Sequence, residues 1–284
     1  MKKLISLLLC LLLLAGCAET YDGPTELKSV RASREENYMD EDGNVYETLW
    51  EEYSYDIYGN LATVIESRND EPTLRTVYRY YDDGSTKSCT QYDLSGWFPW
   101  PTLHAKYTYD DQGRQTSLVQ WFGWEKTEQI TTYDDENHIV TTEFTGGRTV
   151  QYLDEDGRVT RSETEYDAGR TELLEHEFQG RTTIARWYLN GELDTVWEYT
   201  YDDQERLLTW HEIKDGKREL VWRYEYGEDY EICYDESIGR TTTTGYNEDG
   251  TVKAIVETDE HDNITRRVIY RYTDIRIPAE EETP

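Results

Sequence analysis

Tyr107-Thr108-Tyr109-Asp110-Asp111-Gln112-Gly113-Arg114 reads as strand, then turn, then strand again. Two tyrosines one residue apart suit a pleated, half-buried surface. The acidic pair and the glycine supply turn chemistry, because Asp caps tight turns and Gly accepts positive φ. The phrase recurs in variant form. Tyr53-Ser54-Tyr55-Asp56-Ile57-Tyr58-Gly59-Asn60-Leu61 and Tyr199-Thr200-Tyr201-Asp202-Asp203-Gln204-Glu205-Arg206-Leu207 are two further copies. A tandem repeat overrides position-by-position reading of a fold, since each unit buries its face only against its neighbours.

Working outward, the flanking residues alternate. Leu220, Trp222, Tyr224 and Tyr226 share one parity against Glu219, Val221, Arg223 and Glu225. Leu193, Thr195, Trp197, Tyr199 and Tyr201 share a parity opposite Asp194, Val196, Glu198 and Thr200. A period of two places each set on one face of a strand. The strands end in Asp-Gly and Asn-Gly pairs such as Asp42-Gly43, Asp83-Gly84, Asp156-Gly157, Asn190-Gly191, Asp215-Gly216 and Asp249-Gly250. Such pairs close hairpins. Counting turns over residues 36–273 gives roughly fifteen strands of ordinary length. Tight turns make consecutive strands antiparallel neighbours. The expected fold is all-β, a long antiparallel meander of hairpin repeats. An open sheet of that size curls or splits, so the meander is expected to be curled or partly closed. Residues 18–35 read as a polar tether and 274–284 as a disordered tail.

The Tyr-x-Tyr-Asp-x-x-Gly-Arg phrase resembles the YD repeat of the RHS family. The resemblance covers most of the chain after the leader in degenerate copies. Large members of that family wind such repeats into a hollow β-shell around a C-terminal toxin. This chain is short, and nothing after Tyr272 could be a toxin domain, so the resemblance implies the repeat architecture without the cargo. Asn137 and Glu205 stand where other copies have glycine, which puts uniform turn geometry in question. Tyr188-Leu189-Asn190-Gly191-Glu192-Leu193 is also similar to the Asn-Gly hairpin repeats of MORN-like and toxin-neutralising families.

The N-terminus addresses location. Lys2 and Lys3 precede an apolar run from Leu4 to Leu14 that is too short to be a stable membrane span. It ends Leu14-Ala15-Gly16-Cys17, which resembles a bacterial lipoprotein signal. Residues 1–16 are then the signal peptide, and Cys17 is lipidated and opens a tether over 17–35. A diacyl anchor holds a protein on a bilayer stably. The expected location is the cell envelope, on the outer face of a membrane or in the periplasm. Against 60 acidic residues stand 29 Lys and Arg, a net charge of −31. That balance argues against nucleic acid as a partner. Cys10 leaves with the signal, so Cys89 and Cys233 remain, paired only if the sheet curls back on itself.

The sharpest candidate site is aromatic. Trp97, Phe98 and Trp100 precede one strand, and Trp121, Phe122 and Trp124 follow the next. A turn tip at Asp111-Gln112 would bring residue 100 roughly opposite 123, gathering both clusters at the far end of the sheet. The rings serve either as a platform for a sugar or protein ligand or as a plug over an open end of the core. The tyrosine pairs are expected to form cross-strand ladders. Asp40-x-Asp42-Gly43 and Asp154-x-Asp156-Gly157 resemble fragments of calcium loops, but neither has the completing glutamate, and Asp and Gly are ordinary turn formers. The five histidines are scattered, no two at metal-ligand spacing on a helix, and no nucleophile elbow or phosphate loop is present. No catalytic residue, metal site or cofactor is therefore assigned. The expectation is a non-catalytic envelope lipoprotein whose ligand is a polysaccharide, an envelope component or a protein. The alternative is an immunity or toxin-neutralising partner that meets a basic toxin through its acidic surface.

Overall fold

The computed structural model describes residues 25–279. Residues 1–24, which include the expected signal peptide and Cys17, and residues 280–284 lie outside the described residues. The first strands are β1 (Thr25–Met39), β2 (Val45–Tyr55), β3 (Leu61–Arg68), β4 (Glu71–Tyr80) and β5 (Thr86–Asp93). Next come β6 (Trp100–Tyr109), β7 (Gln115–Phe122), β8 (Glu125–Asp134), β9 (Ile139–Phe144) and β10 (Gly147–Leu153). They are followed by β11 (Val159–Tyr166), β12 (Thr171–Gln179), β13 (Thr182–Leu189), β14 (Glu192–Tyr201) and β15 (Leu207–Lys214). The last are β16 (Lys217–Tyr226), β17 (Tyr230–Asp235), β18 (Arg240–Tyr246), β19 (Val252–Thr258) and β20 (Ile264–Pro278). Each pairs antiparallel with its predecessor and successor, and β1 pairs with β20. The all-β meander therefore closes into a twenty-stranded barrel.

Two expectations are corrected by this closure. The strands number twenty, not about fifteen. Residues 25–35 and 274–278, read as tether and tail, are the two long strands that join the ends of the ribbon. Their charges made them look like solvated segments. In the barrel those charges meet across the seam. Arg34 binds Glu51 at 2.5 Å and also pairs with Glu36. Arg266 pairs with Glu36 and binds Glu257 at 2.5 Å, and Tyr38 donates to Glu36 at 2.7 Å. Arg271 binds Glu35 at 2.7 Å.

One turn is reused around the ring. In Asp110–Arg114 the Asp110 N–H donates to the Arg114 carbonyl, and the Gly113 N–H donates back to the Asp110 carbonyl. The Asp110 carboxylate accepts the N–H groups of Gln112 and Arg114 at 3.0 and 2.8 Å. Gly113 has φ +78°, which an L side chain resists. Asp56–Asn60, Asp154–Arg158 and Asp202–Arg206 repeat this geometry. At Glu205 the turn survives without glycine, at φ +60°. At the other substituted copy, positive φ falls on His138 and not on Asn137, and the turn differs in form.

Each such turn leaves a bulge at its base, between Thr108 and Tyr109 for instance. The second tyrosine of the next phrase reaches over that bulge. Tyr133 donates to the Gln115 carbonyl, Tyr226 to Leu207, Tyr80 to Leu61 and Tyr272 to Val252, at 2.7–3.0 Å. The turn arginine lies on the same ring: Arg114 is 4.2 Å from the Tyr133 centroid and Arg206 is 4.3 Å from that of Tyr226. The expected tyrosine ladders are thus replaced by clamps. The neighbouring strand presents Leu118 and Gln115 to Tyr107 and Tyr109, Cys233 and Glu231 to Tyr224 and Tyr226, and Trp210 to Tyr199, with no tyrosine facing any of them there.

Tracing registers round the ring puts Tyr53, Tyr78, Tyr107, Tyr199, Tyr224 and Tyr270 on one face. That face holds the buried Val64, Ala105, Ala185 and Val268 with Glu36, Thr131, Thr195 and Thr244. Only Val30, Ser33 and Thr63, near the seam, are buried on the other. Heavier burial marks the tyrosine face as the concave one, turned inward. Strands about 4.8 Å apart and tilted by about 40° give a ring about 40 Å across if round. Side chains do not fill such a bore, and the inward tyrosines are half-buried, not sealed in a core.

Burial pushes the Glu36 carboxyl up, but the Tyr38 hydroxyl and the Arg266 and Arg34 guanidiniums outweigh it and hold it low. The turn carboxylates are also held low, at Asp154 chiefly by the Arg158 guanidinium and at Asp202 chiefly by the Arg206 N–H. At Asp249 the Thr251 hydroxyl does so, and at Asp259 the Asn263 amide. A depressed folded pKa contributes stability above the unfolded value near 4 that is lost as pH falls through the folded value. Urea midpoints measured down a pH series should therefore be flat from pH 7 to 5 and fall steeply below about 4. Glu36→Ala leaves two guanidiniums facing each other at the seam. It should cost about 3 kcal/mol and speed amide exchange in β1 and β20 more than in β8 and β9. Glu205→Gly should raise stability by up to ~1 kcal/mol in the same urea titration.

Candidate functional site

Antiparallel alternation sorts the turns between two ends of the barrel. The turns at 56–60, 81–85, 110–114, 154–158, 202–206 and 247–251 share one end with the start of β1 and the close of β20. The loops at 94–99 and 123–124 lie at the opposite end. Trp97, Phe98, Trp100, Phe122 and Trp124 are therefore on the rim farthest from the chain's entry. They are 89%, 78%, 67%, 47% and 99% exposed. Trp121 is half-buried on the outer wall, its ring 5.4 Å from His104 and under the Lys106 ammonium at 5.6 Å. Leu103 lies opposite Phe122, so Trp100 is displaced two residues from the expected position opposite 123. The cause is the five-residue turn at Asp110 with its bulge, which adds residues that a tip at Asp111-Gln112 does not count.

A second aromatic group faces inward on β13–β16. Trp187 and Trp197 lie with ring planes 18° apart and centroids 6.2 Å apart. Tyr199 and Trp210 are 14° and 5.9 Å apart, and Trp210 meets Trp222 edge-on at 4.5 Å. Trp187 is opposite Thr195, and Trp197 is opposite Ala185. These two small residues are 3% and 2% exposed, covered by the rings beside them. The alternation of β14 and β16 displayed these residues in the sequence. That four separate strands align them into one wall follows only from the registers of the ladder.

The remaining candidates resolve into turn and seam chemistry. Asp40 accepts from the Asp42 and Asn44 N–H groups, and Asp154 from those of Asp156 and Arg158, so the calcium-like phrases are capped turns. Among the described residues no three His, Cys, Asp or Glu side chains are arranged to hold a metal ion. Cys89 and Cys233 are free and lie on the inner face, on β5 and β17. Burial and the Cys89 thiol push the Tyr107 hydroxyl up to about 12. On the outer face of β8–β12 an open groove of about 880 Å³ is lined by Asp134, Glu143, Arg148, Glu163 and Glu165.

No family model matches the chain, and no curated protein matches it. Among solved structures, a porin-like protein from Bacteroides uniformis is similar over 86% of this chain and 96% of that one, with 12% identity and a TM-score of 0.39. The TcdB2-TccC3-Cdc42 structure is similar over 84% of this chain at 14% identity and a TM-score of 0.31, and the match spans 14% of that chain. Replacing the exposed Trp97 and Trp124 by Ala should leave the melting midpoint within about 2 °C of the parent, because exposed rings forfeit little buried area. A calorimetric scan of the double variant checks this.

Proposed function

We propose that this chain is a lipid-anchored protein of the bacterial cell envelope, built of YD-like repeats, that binds its ligand without turnover. The observation that carries the reading is the placement of the exposed aromatic rim at the end of the barrel opposite the start of β1. Acyl groups on Cys17 would leave eight residues before Thr25, a reach of at most ~28 Å. The Asp-turn end would then rest near the bilayer, and the rim would look away from it towards a polysaccharide or protein partner.

The outer wall supports tethering beside a membrane and not insertion through it. Ion pairs stand in mid-strand on that wall: Arg161 with Glu163, Arg186 with Glu177, Arg223 with Glu225, Arg271 with Glu35. A lipid-facing Arg or Lys at the midplane costs roughly 2–4 kcal/mol. A barrel that spans a bilayer needs an apolar outer band, and these pairs interrupt it.

Cell fractionation tests the mooring. The parent should be membrane-bound and detergent-extractable, and Cys17→Ser should be released as a soluble or unprocessed form. A glycan array and a pull-down at low and high salt test the contact. Loss of capture by the Trp97→Ala, Trp124→Ala double variant, with melting unchanged, is the expected result. A silent array together with salt-sensitive capture of a basic protein would instead favour toxin neutralisation by the acidic surface.

A further inference from the structure

We infer that the inner wall formed by Trp187, Trp197, Tyr199, Trp210 and Trp222 is a binding site for an extended, uncharged glycan lying across the strands inside the barrel. The inference is independent of the rim and of the anchor. It rests on four observations.

The rings form two groups, Trp187 with Trp197 and Tyr199 with Trp210 and Trp222, that meet on β14. One tryptophan comes from each of β13, β14, β15 and β16, and within each group contacting centroids are 4.5–6.2 Å apart. Adjacent strands are about 4.8 Å apart, close to the length of one pyranose unit in an extended chain. A glycan crossing the strands would meet about one aromatic side chain per sugar. The C–H face of a pyranose is apolar and weakly positive, which suits the electron-rich face of an indole.

The rings are supported from beneath. Ala185 and Thr195 supply the low ground beside Trp197 and Trp187, and both are covered. Larger residues there would tilt the rings away from the sheet. Two polar atoms of the wall, Trp210 Nε1 and His176 Nε2, are buried without a protein partner.

Polar groups stand at the mouth of the wall. Glu212 and Glu219 face each other across β15 and β16, with Lys214 opposite Lys217 one step nearer the end. Together with Asp215 they line a recess of about 230 Å³. Two carboxylates placed directly opposite repel and weaken the sheet. Both lack a hydrogen-bonding side-chain partner among the described residues, so their oxygens are open to sugar hydroxyls. Three acidic residues against two basic, with Lys214 already held by Asp194 at 3.1 Å, leave the recess mildly acidic, which disfavours an anionic ligand. The chain as a whole carries −31, which repels polyanions.

The ladder excludes the commonest way to hold a peptide. Every strand, including β1 and β20, has a neighbour on both sides. Among the described residues there is no free edge for an added strand. Ring faces and hydrogen-bonding heads remain, and these are the means of carbohydrate recognition.

Tryptophan fluorescence titration of the full-length protein tests the inference. The probes are cellohexaose and hexa-N-acetylchitohexaose, an oligogalacturonate as polyanion, and a polylysine peptide. Saturable quenching by at least one neutral hexasaccharide is expected, at least roughly tenfold tighter than by the oligogalacturonate. Affinity should climb from the trisaccharide to the hexasaccharide as successive rings are engaged. Trp197→Ala should weaken it roughly tenfold. Should that variant unfold, Glu212→Gln, which preserves the rings, should still weaken binding about threefold with the melting point unchanged or raised. Glu163→Gln, on the outer wall, should bind these sugars as the parent does, which separates the inner wall from the outer face. The inference is overturned by no saturable response to either neutral sugar at millimolar concentration. It is equally overturned by loss of the response in Glu163→Gln alone, or by a response confined to polylysine, which would make the wall a site for basic peptide.

Discussion

A carboxylate that accepts two backbone N–H groups within its own turn is the constraint on which this barrel depends. At Asp110 it fixes the five-residue reversal, and the reversal fixes a bulge at the base of the hairpin. Strand alternation puts both tyrosines of the phrase on the inward face, and the bulge on the partner strand presents the carbonyl that the next tyrosine clamps. The turn arginine then closes the unit by binding Asp110 and covering the ring of Tyr133. Each hairpin is thereby keyed to the next through polar contacts, and no deep apolar core is required. This matches a composition poor in phenylalanine and rich in tyrosine, with Val268 the largest side chain that is fully buried.

Nearest-neighbour stability of this kind would leave two raw edges in an open ribbon. Closure removes them, but only if the inward face of the last strand meets the inward face of the first. Registers carried through twenty strands return the tyrosine face to itself at β20. The join is made by the two longest strands and by a charge network centred on Glu36, whose side chain is 4% exposed. Buried ion pairs add little net stability against a well-packed apolar substitute, yet breaking one is costly. A network of that type suits a seam, because a slipped register leaves Glu36, Arg34 and Arg266 unpaired.

The architecture separates three surfaces with different chemistry. The Asp-turn end carries the chain's entry and is dense in capped carboxylates. The opposite rim carries large rings in water. The inner wall carries half-buried rings in mutual contact, with Glu212, Glu219, Lys214 and Lys217 near its mouth. The outer face, laced with Arg–Glu pairs, is suited to solvent. The barrel thus keeps two aromatic surfaces apart, one on the rim and one on the inner wall.

The amino-acid sequence alone determined the strand period, the turn positions and the antiparallel meander, because alternation and Asp-Gly chemistry act over a few neighbouring residues. It also gathered Trp97, Phe98, Trp100, Phe122 and Trp124 at one end of the sheet, but whether they plug that end or stand exposed was decided by the folded barrel. It could not show that residues 25–35 are strand, since Arg34 meets Glu51 on β2 and Glu35 meets Arg271 on β20, partners that only the folded ring brings near. The clamp of Tyr133 on Gln115 was equally hidden, because it needs a bulge whose place is set by hydrogen bonding. The wall of Trp187, Trp197, Trp210 and Trp222 exists only because four registers coincide, one residue's slip in any of which would turn a ring to the outside. Closure belongs to the tertiary structure for the same reason: it is a sum of twenty local offsets that comes out to zero only when every strand is in place.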